Sequence, residues 1–324
     1  MVSYRKTRFV CVSDTHGYLP QEAGFSLPPG DVLIHAGDLT NTGSISQLKR
    51  TLQWIKDADY EAKIVIAGNH DVTLDPDFYA EHGGIFHKEL QDVTACIDIV
   101  NTGDGSVIFL NHKSTLVKLS RPEGPRTMFK VFGSPFSRFR GQWAFGYSTA
   151  EDGERLWSQI PTDTDIVVTH TPPFGYCDHH PADYGPSEST GCRQLLDALS
   201  RIKPMLSICG HVHEGRGYER VMWSANASTV SVDKEALPPL NSKKQNLIDL
   251  TGKRHPALRN TSSACTSKTT SVPNSDMDDN IRQETCIINA AIMAKSWPHI
   301  NGKQFNRPIV VDINLPIWDH EGGG

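Results

Sequence analysis

The chain has 324 residues, 38% of them hydrophobic and 21% charged, with a formal net charge of -5. That length suits one large α/β domain or two ordinary ones. The slight acidity supplies no field to draw nucleic acid or an anionic membrane, and no apolar run approaches the roughly 20 residues of a membrane helix. The opening "MVSYRKTRFVCVSD" enters a strand without a separate apolar segment and cleavage site, so no secretory signal is expected. The 7 cysteines are odd in number and include no C-x-x-C pair, which predicts reduced thiols in a cytoplasmic protein. The sequons at Asn226 and Asn260 then have no glycosylation meaning.

In chain order, "RFVCVSD" (8–14) and "DVLIHAGD" (31–38) are apolar runs that end in a carboxylate. "SISQLKRTLQWIKDA" (44–58) sets Ile45, Leu48, Leu52 and Ile55 at helical spacing. "AKIVIAGNHD" (62–71) returns to a strand apolar enough to be covered on both faces. Short strands are predicted at 96–100 ("CIDIV"), 106–110, 115–119 and 128–134. "DIVVTHTPP" (165–173) reads as strand and loop, "GCRQLLDALSRI" (191–202) as a helix, and "MLSIC" (205–209) as a strand that runs into "GHVHEG".

Strand–helix alternation around a β-rich middle predicts an α/β fold of two packed sheets flanked by helices, in one domain over 1–324. From about 233 to 283, Ser, Thr, Asn, Lys and Pro dominate, and too few apolar residues remain to offset the entropy of ordering. That stretch is expected to be a mobile insertion. Order should resume at "CIINAAIMA" and close on a strand at about 307–316, "RPIVVDINLP".

Successive strand ends carry polar side chains. They are Asp14 and His16 in "SDTHG", Asp38 in "AGDLT", Asn69, His70 and Asp71 in "AGNHD", His170 in "VTHTPP", and His211 with His213 in "GHVHEG". Singly each is ordinary: a D-x-H recurs by chance, and Asp after Gly is commonly a cap or turn residue. Open α/β sheets, however, place ligand sites at the carboxyl ends of strands. Carboxylates, imidazoles and a carboxamide without cysteine suit Mn²⁺, Fe²⁺/³⁺ or Zn²⁺. The ligands outnumber what one such ion takes, so two ions that share a carboxylate form the economical arrangement, the usual clamp for displacement at phosphorus.

The order D-x-H, GD, GNH[DE], H, GHxH resembles the calcineurin-like metallophosphoesterase superfamily over about residues 8–225. "IVIAGNHD", "THTPPFGY", "HEG", "NAS" and "NRPIVVD" further resemble its metallophosphoesterase-domain-containing subfamily, grouped near class III cyclic nucleotide phosphodiesterases. Some members of that subfamily have Gly in place of the first His of GHxH; here His211 is present. The resemblance implies a four-layer α/β/β/α sandwich. It also implies that Asp14, His16 and His213 hold one metal, that Asn69, His170 and His211 hold the second, and that Asp38 bridges them. His70 would be the catalytic histidine, with Asp71 orienting it.

The resulting expectation is hydrolysis of a small-molecule phosphate ester, with phosphodiesters and cyclic nucleotides favoured through the subfamily resemblance. A phosphomonoesterase or protein phosphatase is the enzymatic alternative, and a metal-binding interaction scaffold the non-enzymatic one. No nucleic-acid or membrane partner is expected, and the oligomeric state is open. "DHHPADYG" (178–185), Arg138, Arg140, Arg216, Asn111 and His112 stand near strand ends as further polar candidates and carry no assigned role.

Overall fold

Among the described residues, five α-helices and fifteen strands follow local sequence cues. The computed structural model describes residues 3–138, 141–179, 189–223, 232–234, 248–253, 258, 282, 284–299 and 302–318. The first part contains β1 (Tyr4–Val12), β2 (Val32–Ala36), α1 (Ile45–Asp57), β3 (Ala62–Ile66), α2 (Pro76–Phe86) and α3 (Val93–Val100). The middle contains β4 (Ile108–Phe109), β5 (Lys113–Lys118), β6 (Met128–Ser134), β7 (Ser137–Arg138), β8 (Gly146–Tyr147) and α4 (Ala150–Trp157). Then come β9 (Ile166–Thr169), α5 (Arg193–Ile202), β10 (Leu206–Cys209), β11 (Gly217–Met222), β12 (Val232–Lys234), β13 (Ile248–Leu250), β14 (Glu284–Asn289) and β15 (Ile309–Pro316).

The helices begin where a side chain accepts an otherwise orphaned backbone N–H. Ser44 caps α1, Asp75 caps α2 just before Pro76, and Thr149 with Asp152 forms a capping box on α4. The expected strand at 96–100 is instead the second half of α3. Asp92 accepts the Ala95 N–H, and Cys96 and Val100, one helical turn apart, are the residues it buries. The apolar residues at 96, 97, 99 and 100 fit either period, and the cap decides. α2 escaped the sequence reading because it buries only Tyr79 and Gly83 and carries two glycines.

One sheet has the order β13-β15-β1-β2-β3-β4, the other β12-β11-β14-β10-β9-β6-β5. Within them β1, β2 and β3 run parallel, as do β6, β9, β10 and β14. Side chains alternate across each strand. Phe9 and Cys11 of β1 face Phe129, Val131, Ile166 and Ile208 in a core between the sheets. Val10 and Val12 point the other way, into a core with Leu48, Leu52 and Ile55 of α1 and Cys96 of α3. Val167 of β9 likewise points away from the centre, toward Leu195 and Leu199 of α5 and Trp157 of α4. Three cores between four layers make the α/β/β/α sandwich.

The returning strand exists as β15, which sits between β13 and β1, and β14 sits between β11 and β10. Two short strands, β12 and β13, fall within the stretch expected to be a mobile insertion; most of the remainder, 254–257 and 259–281 included, lies outside the described residues. Among the described residues no helix is long and apolar enough to cross a membrane, and the six described cysteines are free thiols, all buried.

Candidate metal centre

The loops after β1, β2, β3, β9 and β10 meet at one end of the sandwich and bind one another through backbone. The Asp14 N–H donates to Gly37 O (2.9 Å), the His16 N–H to Asp38 O (3.0 Å) and the Gly210 N–H to His170 O (3.1 Å). Past β14, the Met293 N–H donates to Asp14 O (3.2 Å), so the two sheets are joined at this end. Asp14, His16, Asp38 and His211 all have left-handed backbone, with φ of 53°, 45°, 51° and 65°. Such conformations are uncommon outside glycine and cost energy, so their concentration here marks a site held by its surroundings. Two glycines make the closeness possible. A Cβ at Gly210 would collide with the Asp14 carboxylate and Ser13 Oγ, and one at Gly68 with the Asp38 carboxylate.

Seven of the nine residues singled out in the sequence form two clusters. In one, His213 Nε2 lies 3.4 Å from Asp14 Oδ1 and 3.3 Å from His16 Nε2. In the other, Asn69 Oδ1 lies 3.0 Å from His170 Nε2 and 2.8 Å from His211 Nδ1. Asp38 stands between them, with Oδ1 3.3 Å from His170 Nε2 and Oδ2 3.7 Å from His16 Nε2. The triads Asp14–His16–His213 and Asp14–Asp38–His170 each bring ligand atoms within 4.8 Å of one another.

A cation fits this donor set. His170 Nδ1 lies 3.0 Å from the Ala36 carbonyl, the partner that commits Nδ1 to donating and turns the Nε2 lone pair inward. That lone pair then faces Asn69 Oδ1 and Asp38 Oδ1, a convergence of acceptors that needs a positive charge at its centre. The titration behaviour agrees. Burial drives His16 down to about 3, and burial with the nearby His170 does the same to His211, so both offer neutral lone pairs. Burial also pulls on His170, but the Asp38 and Asp14 carboxylates overcome it and raise the ring to about 9. His213 rises for the same reason, through Asp14. Although burial opposes their charge, Asp14 and Asp38 are held below the usual carboxylate range by His213 and by His170 with His70, respectively. Without a cation, a proton on His170 supplies part of the missing charge.

His70 is held on three sides. Its Nδ1 lies 2.9 Å from the Asn41 carbonyl, its ring packs on Trp143 (centroids 3.9 Å apart), and the His16 ring meets it edge-on at 4.6 Å. It also forms a third close triad with His16 and Asp38, so it stands at the centre itself. The expected orientation of His70 by Asp71 is not what the structure holds. The Asp71 carboxylate points into the loops and accepts from the N–H groups of Leu39, Thr40 and Gly68 and from the Thr40 hydroxyl, at 2.7–3.1 Å. Burial, with the Asp38 charge, pushes Asp71 up to about 7. Three backbone donors within reach capture the carboxylate before it can turn to its neighbour, so Asp71 staples the Asp38 loop to the Asn69 loop.

Asn41 and Trp143 were missed as partners of His70, since a main-chain carbonyl leaves no residue-type signal. Asn289 was missed too: its side-chain amide donates to the carbonyls of Cys177, Gly210 and Val212, and so fixes the loop of His211 and His213. Its only trace in the sequence is a polar residue that ends an apolar strand. Of the unassigned candidates, Arg138 lines the cleft over the cluster, whereas Arg140 and 180–188 lie outside the described residues. Arg216 is buried and donates to the Arg307 carbonyl. His112 packs on Phe132 and Phe136 with Nδ1 3.0 Å from Ser134 Oγ, and Asp178 accepts from the Gly175 and Gly191 N–H groups.

Residues 7–215 match the profile of the calcineurin-like phosphoesterases. Metallophosphoesterase domain-containing protein 1 of Homo sapiens is 34% identical over 236 residues, 72% of this chain and 69% of that protein. A UPF0046 protein of Caenorhabditis elegans is 37% identical over 65% of this chain and 64% of its own length. A probable rhamnogalacturonate lyase C of Emericella nidulans is 37% identical over 67% of this chain, which spans only 18% of that protein. Purple acid phosphatase PPD1 of yellow lupin aligns with a TM-score of 0.39 and 15% identity over 98% of this chain and 50% of that one, and the fold assignment rests on the two sheets rather than on that likeness. The profile covers well over half of the chain and contains every strand-end cluster of the centre, so the chain belongs to the calcineurin-like phosphoesterase family.

Proposed function

We propose that the chain is a dinuclear metal-dependent hydrolase of small-molecule phosphodiesters. The observation that carries this reading is Asp38, whose two oxygens face two separate ligand clusters. Asp14, His16 and His213 would hold one ion, Asn69, His170 and His211 the other, and Asp38 both. Mn²⁺, Fe²⁺/³⁺ or Zn²⁺ in those positions would supply charge neutralisation at the phosphoryl oxygens and a water acidic enough to attack in line.

The chain's own residues do the rest. His70 lines the cleft, and with Nδ1 on the Asn41 carbonyl its Nε2 is the nitrogen left to protonate the departing oxygen. Trp143 and His16 confine the ring, which lowers the cost of aligning it. The cleft is about 670 Å³, and beside the clusters it is lined by Arg138, Trp143, Gly146, Met293, Trp297 and Lys303. A cleft of that size holds more than a bare phosphate, which suits an ester with two substituents and favours a diester over a monoester.

The test is hydrolysis of bis-p-nitrophenyl phosphate, p-nitrophenyl phosphate and an alkyl diester by Mn²⁺-loaded protein. Bis-p-nitrophenyl phosphate should turn over faster than p-nitrophenyl phosphate, which has the same leaving group. Asp38→Asn should lose activity together with metal. His70→Ala should keep its metal and lose roughly 10²–10⁴ in kcat on the alkyl diester, but much less on p-nitrophenyl esters, whose leaving group needs no acid. No turnover of any ester with metal content confirmed would sink the hydrolase reading.

A further inference from the structure

One wall of the cleft comes from a segment outside the family profile, which ends at residue 215. After β14 the chain crosses to the first sheet and supplies Met293, Ser296, Trp297, His299 and Lys303 to the rim. Trp297 is 84% exposed, the most exposed of the large hydrophobic side chains among the described residues. Indoles are highly buried on average, so one left open on the rim of a polar cleft is informative. Its backbone is fixed to the metal loop by the residue before it. The Ser296 N–H and hydroxyl donate to the two carboxylate oxygens of Glu214, at 2.8 and 3.1 Å, and Glu214 follows His213 directly. Beside it, Lys303 Nζ lies 4.7 Å over the Tyr18 ring and donates to the Tyr18 hydroxyl (2.7 Å), which stations a cation on the same wall.

We propose that Trp297 is a stacking platform for a flat aromatic substituent of the ester, which makes aryl or heteroaryl phosphodiesters the preferred substrates. This rests on the reading of the cleft as a phosphodiester site. A substituent of an ester seated at the clusters would share the cleft with Trp297, and an exposed indole face gains most from a flat partner. An alkyl substituent offers it less area and no π-face. Lys303 and Arg138, which line the same cleft, favour the negative charge such an ester carries.

Two probe pairs test this. Methyl p-nitrophenyl phosphate and bis-p-nitrophenyl phosphate share a leaving group and differ only in the second substituent. Methylphosphonate and phenylphosphonate, titrated calorimetrically into Mn²⁺-loaded protein, read the same difference without turnover. The natural protein should prefer the aryl member of each pair on the order of tenfold, the range of one aromatic stack. Trp297→Ala and Trp297→Leu should bring that ratio close to one, and Trp297→Phe should retain most of it. An unchanged ratio in Trp297→Ala would overturn the platform, as would a full ratio in Trp297→Leu, which keeps apolar bulk without a flat face. If neither diester is hydrolysed while phenylphosphonate still discriminates through Trp297, the hydrolase reading falls and the platform is supported.

Discussion

His170 shows how single residues prepare this centre. Its Nδ1 is committed to the Ala36 carbonyl, and its Nε2 faces Asn69 and Asp38. The two nearby carboxylates raise it to about 9, so near neutral pH it carries a proton that an entering cation must displace. A group with a raised pKa holds its proton below that value and gives it up above, so apparent metal affinity should rise with pH up to about 9 and level off beyond. Loading with Mn²⁺ at pH 8 should release about one proton per chain from this ring, measurable as the dependence of binding heat on buffer ionisation enthalpy. No proton release at pH 8 would remove His170 from the ligand set. At this scale the sequence was most legible. Asp14, His16, Asp38, Asn69, His170, His211 and His213 each stand directly after an apolar strand, and strand ends converge. Asp71 was not, because three of its four partners are main-chain N–H groups, which any sequence could provide.

Elements turn those residues toward one another. β10 ends at Cys209, and the loop that carries His211 and His213 would otherwise hang from one strand. Asn289, at the end of the adjacent parallel strand β14, holds it through the Gly210 and Val212 carbonyls (3.3 and 2.8 Å) and ties it to the Cys177 carbonyl (3.0 Å). Asn289→Leu keeps the volume and strips these donors from buried carbonyls. The expected cost is about 3 kcal/mol in denaturant unfolding, with a roughly 10–100-fold loss of metal affinity. Unchanged metal affinity would show that the loop keeps its shape alone. Helices and strands with a clear apolar period, such as α1 and β2, were read correctly. α3 was not, since Cys96, Ile97, Ile99 and Val100 around a single Asp98 fit a strand as well as a helix, and its Asp92 cap was overlooked.

The centre belongs to the whole molecule, since its candidate ligands come from both sheets. Asp14, His16, Asp38 and Asn69 follow strands of one sheet, while His170, His211 and His213 follow strands of the other. β14 and β15 return from the far end of the sequence and lie within each sheet, between β11 and β10 and between β13 and β1. The β15 strand was visible as "RPIVVDINLP", but its pairing was not, because hydrophobic alternation fixes a face and says nothing about the neighbour. The Glu214–Ser296 contact and the platform at Trp297 depend on that return, so sequence order concealed them.

The central claim is that two ions share Asp38, each also held by its own cluster. Anomalous diffraction from crystals of the Mn²⁺-loaded protein tests it most directly. The account predicts two peaks about 3.5–4 Å apart on either side of the Asp38 carboxylate, one beside Asp14, His16 and His213 and the other beside Asn69, His170 and His211. A single fully occupied peak, or a pair bridged by a residue other than Asp38, would contradict it.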